Sequence, residues 1–515
     1  MRALPNDFDK WNVTNWSADQ LMPYYSMLED YDDTIPAPNV WSPLPSGKNR
    51  GTGGPLKIKI GGESISPIVN DFILSSLAAG FPLASPGFNE AEAEKRLGVG
   101  YYEFNIRDGI RDSVAKALLS PEIGTAPSNL IVKTDATVKE VLFETMGGTS
   151  LMPKAVGVRY YSSSTQSFQD VHLLSNKAKR HAHLKREAEV ILSAGAILSS
   201  QILANSGISK NGKLVDSPEV GSNVQDHPAV AVVYQASQQL SESIRAYFNA
   251  DNDQSISFEN YLDVEEKAHR HSVGNETMSA HSLVYGSAGI SVGGFLASPW
   301  SKDNIPDIQL TVFPHTMEPH FIHRNRSNDI PSAASPAEDP EKTSVLITAA
   351  LLSPESRNSI NLSNPNSNDP ESNEDSSQYF FESYYKFQVP TIEGGDLTEL
   401  DTKRLAWGVE QVRNIMSQPP LSKNIEMEQY PGVEYKDMDL QYFIQTNALR
   451  NSHWSGSTRM GDDKEAVVDP ELRVNGVDNL RVVDAGIMPF IPNGNTHGTT
   501  CVIALRAVDL IFTKT

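Results

Sequence analysis

The sequence predicts an α/β fold, α+β over the whole chain, in which an incomplete doubly wound domain is joined to a second domain. Three observations carry this. First, Glu189-Val190-Ile191-Leu192 is short and apolar, like a buried parallel strand. The small residues Ser193-Ala194-Gly195-Ala196 follow it, then a helix from Ile197 to Asn205 that Gly207 can stop. Second, the same order returns with Leu480-Arg481-Val482-Val483 as strand, Asp484-Ala485-Gly486 as turn and Thr499 to Phe512 as helix. Third, the chain has 515 residues, enough for two or three domains. Two distant strand–turn–helix units serve one sheet only if the chain between them folds as a second domain.

The remaining elements follow in order. Residues 1–62 are rich in Trp, Tyr, Asp and Pro. Ser17 reads as an N-cap, with Leu21, Tyr24, Tyr25 and Leu28 on one helix face. The loop Gly51-Thr52-Gly53-Gly54-Pro55 leads into the alternating strand Leu56-Lys57-Ile58-Lys59-Ile60. Residues 66–130 are expected to be mostly helical. Strands at 129–134, 138–143 and 156–161 form an antiparallel meander. The basic, histidine-containing run from Lys177 to Arg186 reads as a solvated loop. The middle, 228–350, mixes strands and loops whose order is not evident. Residues 363–378 are acidic and of low complexity, too polar to order themselves, and read as a surface insertion. Asp401 to Met416 is an amphipathic helix.

Composition narrows the function. There are 43 basic and 64 acidic side chains, a formal net charge of −21, and such a balance repels phosphate backbones. Nucleic acid is therefore set aside. Cys501 stands alone, so no intrachain disulfide forms. No apolar run of 18 residues or more occurs, so no membrane span is expected. Met1 to Asp7 carry no apolar run of the signal-peptide kind. The compartment stays open.

Two polar clusters near the C-terminus could carry chemistry: Asn451-Ser452-His453-Trp454-Ser455-Gly456-Ser457-Thr458 and Pro492-Asn493-Gly494-Asn495-Thr496-His497-Gly498-Thr499-Thr500. Their Gly, Ser and Thr residues let backbone approach a ligand closely. Imidazole titrates near neutrality, so His453 suits a general base that takes the hydroxyl proton of an alcohol giving up hydride. Asn495 could donate a hydrogen bond to the same oxygen as charge develops. A lone histidine is more often structural, and spacing alone does not overturn that.

From Pro5-Asn6-Asp7-Phe8-Asp9-Lys10-Trp11 onward, the ordered motifs resemble the glucose-methanol-choline (GMC) oxidoreductases. They continue through Gly51 to Leu56, Glu189 to Ile208, Val220-Gly221-Ser222-Asn223-Val224-Gln225-Asp226-His227-Pro228, Leu352 to Arg357, Val467 to Val474 and Leu480 to Gly486. The match is weak only near 235–345. The Asn451-Ser452-His453-Trp454 pattern, with Asn495, is most similar to the cellobiose-dehydrogenase-like flavin domains.

The resemblance implies FAD as cofactor, a substrate domain built on an antiparallel sheet, and oxidation of the CH–OH group of a small-molecule alcohol or sugar. Hydride would pass to flavin N5 and then to oxygen or a quinone-like acceptor. His453 matches the family's catalytic histidine and Asn495 its second catalytic position. Val138, Trp454, Asp484, Ala485, Thr499 and Thr500 fall at cofactor-contacting positions. Residues 1–227 correspond to the N-terminal region and 228–350 to the central substrate domain. Residues 351–515 correspond to the C-terminal region, which returns to the FAD domain from about 450. One departure stands out. The family's opening strand–Gly-x-Gly-x-x-Gly–helix is not found, and Gly98-Val99-Gly100 runs into Tyr-Tyr-Glu. The chain is therefore expected to be N-terminally truncated and to hold FAD weakly. Two alternatives remain: a hydroxynitrile-lyase-like enzyme that keeps FAD without redox turnover, and a flavin-free inactive fragment.

Overall fold

The structure, a computed structural model, describes residues 1–32, 50–60, 67–84, 87–90, 92–107, 110–119, 129–144, 152–173, 188–249, 292–313, 343–362, 392–394 and 396–512. The basic run 177–186 and the acidic segment 363–378 lie outside these residues.

Runs of Val, Ile and Ala build the largest element. Among the described residues, seven strands form one antiparallel sheet. In spatial order these are Ile425–Tyr430, Pro228–Ala236, Ser344–Leu351, Ile308–Phe313, Val292–Leu296 and Gly98–Tyr101, with Leu449–Arg450 pairing beside the start of Pro228–Ala236. Pro228–Ala236 is buried along most of its length, which is why it reads as a continuous apolar run.

The helix Glu399–Met416 packs on this sheet through Leu405, Val409, Val412 and Ile415. It lies close because Gly408 has no side chain. A Cβ there would sit 3.2 Å from both Ala349 Cβ and Ile308 Cγ2. Thr398 caps the helix by accepting from Asp401 N–H, at 3.1 Å.

A second core holds the two strand–turn–helix units together. Val190–Leu192 pairs in parallel with Leu480–Val482, residue for residue. The two units thus serve one sheet, as expected. Their helices are Gly195–Asn205 and Thr496–Phe512, each starting two to three residues earlier than the sequence suggested. Gly207 has φ +83° and takes the left-handed position after the first helix.

The N-terminal helices Pro5–Trp11 and Ala18–Leu28 join this core through Phe8, Trp11 and Leu21, with Trp16 from the turn between them. Trp11 Nε1 donates to Phe490 O and Trp16 Nε1 to Pro470 O, both at 2.8 Å. Leu21, Tyr24, Tyr25 and Leu28 are all buried, as the periodicity after Ser17 predicts, the first three in this core and Leu28 against Leu56 and Ala117. The strand Leu56–Ile60 also forms where it was expected.

Two expectations need correction. The meander exists, but its strands are Ala136–Glu144, Lys154–Ser162 and Ser167–His172. Residues 129–134 are irregular and pair with no strand. Leu130, Ile131 and Val132 are exposed, so among the described residues the apolar run has no partner that would make it a strand. Residues 66–130 are also less helical than expected: Gly98–Tyr101, Glu103–Arg107 and Ile110–Arg111 are strands. Gly98, at φ +116°, passes so close to Pro82 that a Cβ would fall 2.2 Å from its carbonyl oxygen. The Gly-Val-Gly triplet is thus an edge strand of the large sheet and no phosphate loop.

Candidate active site

The site forms where the loop entering Pro228–Ala236 meets the two polar clusters. Asp226 is buried and accepts three backbone N–H groups: His227 at 2.8 Å, Ser452 at 3.2 Å and His453 at 2.8 Å. Burial raises its pKa, while these hydrogen bonds pull the other way. Ser452 holds φ +58°, a strained turn that the Asp226 carboxylate stabilises. This turn sets the direction of His453.

Three side chains then stand in line. His227 Nε2 lies 3.1 Å from Pro492 O, and its Nδ1 lies 3.0 Å from Nδ1 of His453. The rings sit edge to face, with centroids 5.1 Å apart. On the far side, His453 Nε2 lies 3.1 Å from Asn495 Nδ2. Asn495 Oδ1 is in turn 3.5 Å from Gln309 Nε2, which also donates to the Tyr102 hydroxyl at 3.2 Å. The catalytic pair expected from sequence, His453 and Asn495, is therefore in contact.

The segment 489–495 is pinned from several directions. Gln225 donates through Nε2 to Pro489 O and accepts from Ile491 N–H, both at 3.1 Å. Asp7 accepts from Asn493 N–H at 2.9 Å. Arg96, fully buried, donates to Asn493 O at 2.9 Å and to Arg2 O at 3.0 Å. Burial brings the Arg96 pKa down to about 10, still charged at neutral pH.

Both imidazoles are held neutral. Burial is the main cause in each case: it pushes His453 down to about 4 and His227 well below its ordinary value. A base must be unprotonated to act. Turnover that depends on His453 should therefore persist well below pH 6.5 and fall only as the pH approaches about 4. The pH profile of kcat/KM checks this. An acid limb centred at 6.5 would show an imidazole in ordinary water contact.

The other sequence-predicted residues divide. Thr499 and Thr500 open the C-terminal helix, but their hydroxyls are engaged within the chain. Thr499 Oγ1 meets the Tyr25 hydroxyl at 2.8 Å, and Thr500 donates to Thr496 O at 2.9 Å. What this end offers outward is its first-turn N–H groups, which have no partner within the helix. The Asp484 carboxylate turns inward, accepting from Gly195 N–H, Ser199 Oγ and Gly486 N–H. Ala485 is partly exposed beside it. The ring of Trp454 is covered by the Arg450 guanidinium, 5.2 Å from its centroid. Val138 lies on the three-stranded sheet and packs on the second core. Sequence reasoning assigned no role to Asp226, His227, Gln309 or Tyr102. The first two lay inside a quoted motif, where Asp-His precedes a wholly apolar strand, and that buried polar pair was the available signal.

The surroundings of His453 fit the redox end of a flavin. Ser455 Oγ, Thr458 Oγ1 and Asn493 Oδ1 are buried without a hydrogen-bond partner among the described residues. The 17-residue helix Thr496–Phe512 begins directly after Asn495, and its positive end favours an electron-rich group. Gly498, in the first turn of that helix, has no room for a side chain, because a Cβ would meet Met1 O at 2.5 Å and the Tyr25 ring at 3.4 Å.

Family models described as GMC oxidoreductase match residues 1–229 and 354–504. The chain belongs to the glucose-methanol-choline oxidoreductase family and is an FAD-dependent alcohol oxidoreductase. The oxygen-dependent choline dehydrogenase of Pseudomonas fluorescens (strain SBW25) is 27% identical over 529 residues, spanning 99% of this chain and 77% of that protein. That of Acinetobacter baumannii (strain AYE) is 27% identical over 528 residues, spanning 99% and 79%. Among solved structures, pyridoxine 4-oxidase from Mesorbium loti has a TM-score of 0.70 at 23% identity, covering 100% of this chain and 82% of its own. Formate oxidase from Aspergillus oryzae RIB40 has a TM-score of 0.74 at 18% identity, with coverage of 100% and 82%. These likenesses establish a shared fold. No helix among the described residues is long and apolar enough to cross a membrane.

Proposed function

We propose that the chain oxidises the CH–OH group of a small-molecule alcohol, with His453 as general base and Asn495 holding the alcohol oxygen. The 3.1 Å contact between His453 Nε2 and Asn495 Nδ2 carries this reading. In the free protein the amide donates to the imidazole. A substrate hydroxyl placed between them donates its proton to Nε2 and accepts from the amide. Asn495 then stabilises the oxygen as the proton leaves, and Gln309 holds its carboxamide the right way round. Burial keeps His453 neutral and ready to accept. FAD, when bound through the end of the Thr496–Phe512 helix, the backbone near Ala485, Trp454 and the sheet carrying Val138, supplies the hydride acceptor. Oxygen or a quinone-like compound is the final acceptor.

The relatives are named for choline, pyridoxine and formate, all small molecules, and the imidazole–amide pair suits the hydroxyl of a small alcohol. Mixing FAD-loaded protein with a panel of primary and secondary alcohols under anaerobic conditions should bleach the flavin absorbance. No bleaching, with cyanide released from mandelonitrile instead, would replace oxidation by lyase chemistry. Asn495→Ala should slow bleaching about tenfold, the worth of one hydrogen bond at about 1.4 kcal/mol. A loss greater than that of His453→Ala would reverse the two roles.

A further inference from the structure

The loop before Pro228–Ala236 brings a second imidazole against the first, and the order of hydrogen bonds along the line decides where the protons sit. Pro492 O is a carbonyl and can only accept. The Leu352 carbonyl also lies near this ring, but the contact of hydrogen-bond geometry is His227 Nε2 to Pro492 O at 3.1 Å, which puts the hydrogen on Nε2. A neutral imidazole has one N–H, so His227 Nδ1 is a bare acceptor. The atom facing it at 3.0 Å is Nδ1 of His453, which must then be the donor. A neutral His453 with its hydrogen on Nδ1 has an unprotonated Nε2, and Nε2 is the atom that meets Asn495.

We infer that His227 is a positioning residue that fixes the tautomer of His453, so that the lone pair faces the substrate position. This rests on the reading of His453 as the base. His227 touches neither Asn495 nor the substrate position in this line and acts only through His453. It is fully buried, so water cannot substitute as the acceptor. Burial also keeps it neutral, as the relay requires, because a protonated His227 would present a hydrogen to His453 Nδ1. The charged and titratable groups facing the pair are Asp226, Arg450 and the amino group of Met1. The Asp226 carboxylate is directed at backbone N–H groups and is not in line with either ring nitrogen. The carboxylate of Asp226 thus orients the backbone of residue 453, while the imidazole of His227 orients its proton.

The experiment uses FAD-loaded protein labelled with 15N-histidine, with the His453 resonances assigned from the spectrum of His453→Gln. Wild type should show His453 protonated at Nδ1. His227→Phe keeps a buried ring but removes the acceptor, and should move the His453 hydrogen to Nε2. It should lower kcat about tenfold with little change in KM, the expectation for one lost orienting hydrogen bond. His227→Asn can place Oδ1 where Nδ1 was, and should restore both the Nδ1–H tautomer and most of kcat. Wild type with its hydrogen on Nε2 would overturn the inference. So would an unmoved hydrogen in His227→Phe, or an Asn variant as slow as the Phe variant. If the Phe variant does not fold, the Asn variant decides: Nδ1–H supports the relay and Nε2–H ends it. The tautomer spectrum does not depend on turnover. If His453→Ala left alcohol oxidation unchanged, the base assignment would fail while the spectrum still reported on the relay.

Discussion

His453→Ala is expected to slow alcohol-dependent flavin reduction by about 10²–10⁴-fold, the range for loss of a positioned base. That corresponds to roughly 3–5.5 kcal/mol of barrier. The fold should survive. His453 belongs to neither hydrophobic core, and its backbone N–H stays bonded to Asp226. His227 keeps its bond to Pro492 O, and Asn495 keeps Gln309. Stopped-flow absorbance on FAD-loaded protein, paired with a melting curve, separates the chemical loss from unfolding. An unchanged reduction rate in a folded variant would remove His453 from the chemistry. A collapsed melting curve would make it a structural histidine, the commoner role for that residue type.

The second large effect is on stability. Asp484 is 4% exposed and receives Gly195 N–H at 3.0 Å, Ser199 Oγ at 2.6 Å and Gly486 N–H at 2.7 Å. These donors come from both strand–turn–helix units, so one carboxylate ties the turn after Leu480–Val482 to the turn after Val190–Leu192. Removing it leaves three donors with little access to water. At about 1–3 kcal/mol each, partly relieved by relaxation, Asp484→Ala should lower unfolding free energy by about 3–5 kcal/mol. Urea unfolding followed by tryptophan fluorescence measures this. A change below about 1 kcal/mol would show that the turns hold each other without the carboxylate. The resemblance placed Asp484 at the cofactor. Its carboxylate is hydrogen-bonded within the chain, so FAD affinity measured beside stability in this variant separates a direct contact from a loss of fold.

The doubly wound half was legible because its signals are local. A short apolar run, then small residues, then a helix stopped by Gly207 can be read within twenty residues, and Val190–Leu192 pairs with Leu480–Val482 as expected. The resemblance implied an antiparallel sheet, as found, but the order of its strands was not legible, since its neighbours come from stretches far apart in the chain. Nothing near Gly98–Tyr101 announces that its partner is Val292–Leu296. Its two glycines hide the alternation that usually marks a strand. Leu130 to Val132 misled in the opposite sense: an apolar run suggests a strand, but only a partner makes one. At the site, His453 and Asn495 could be named from the resemblance, and their contact could not. Asp226 and His227 were in view, but their importance lies in what they touch 226 and 227 positions later.

That scatter has a consequence for how the protein comes into being. The groups around His453 arrive from Asp7, Arg96, His227, Gln309 and Pro492, and Gly195 waits 289 positions for Asp484. No partial chain leaving the ribosome holds the pocket before Asn495 has been made, because that residue closes the contact to His453. Until then the Val- and Ile-rich strands have edges without neighbours, the state in which chains clump. Chaperone supply and a slow, late cooperative step should therefore govern the yield of competent enzyme.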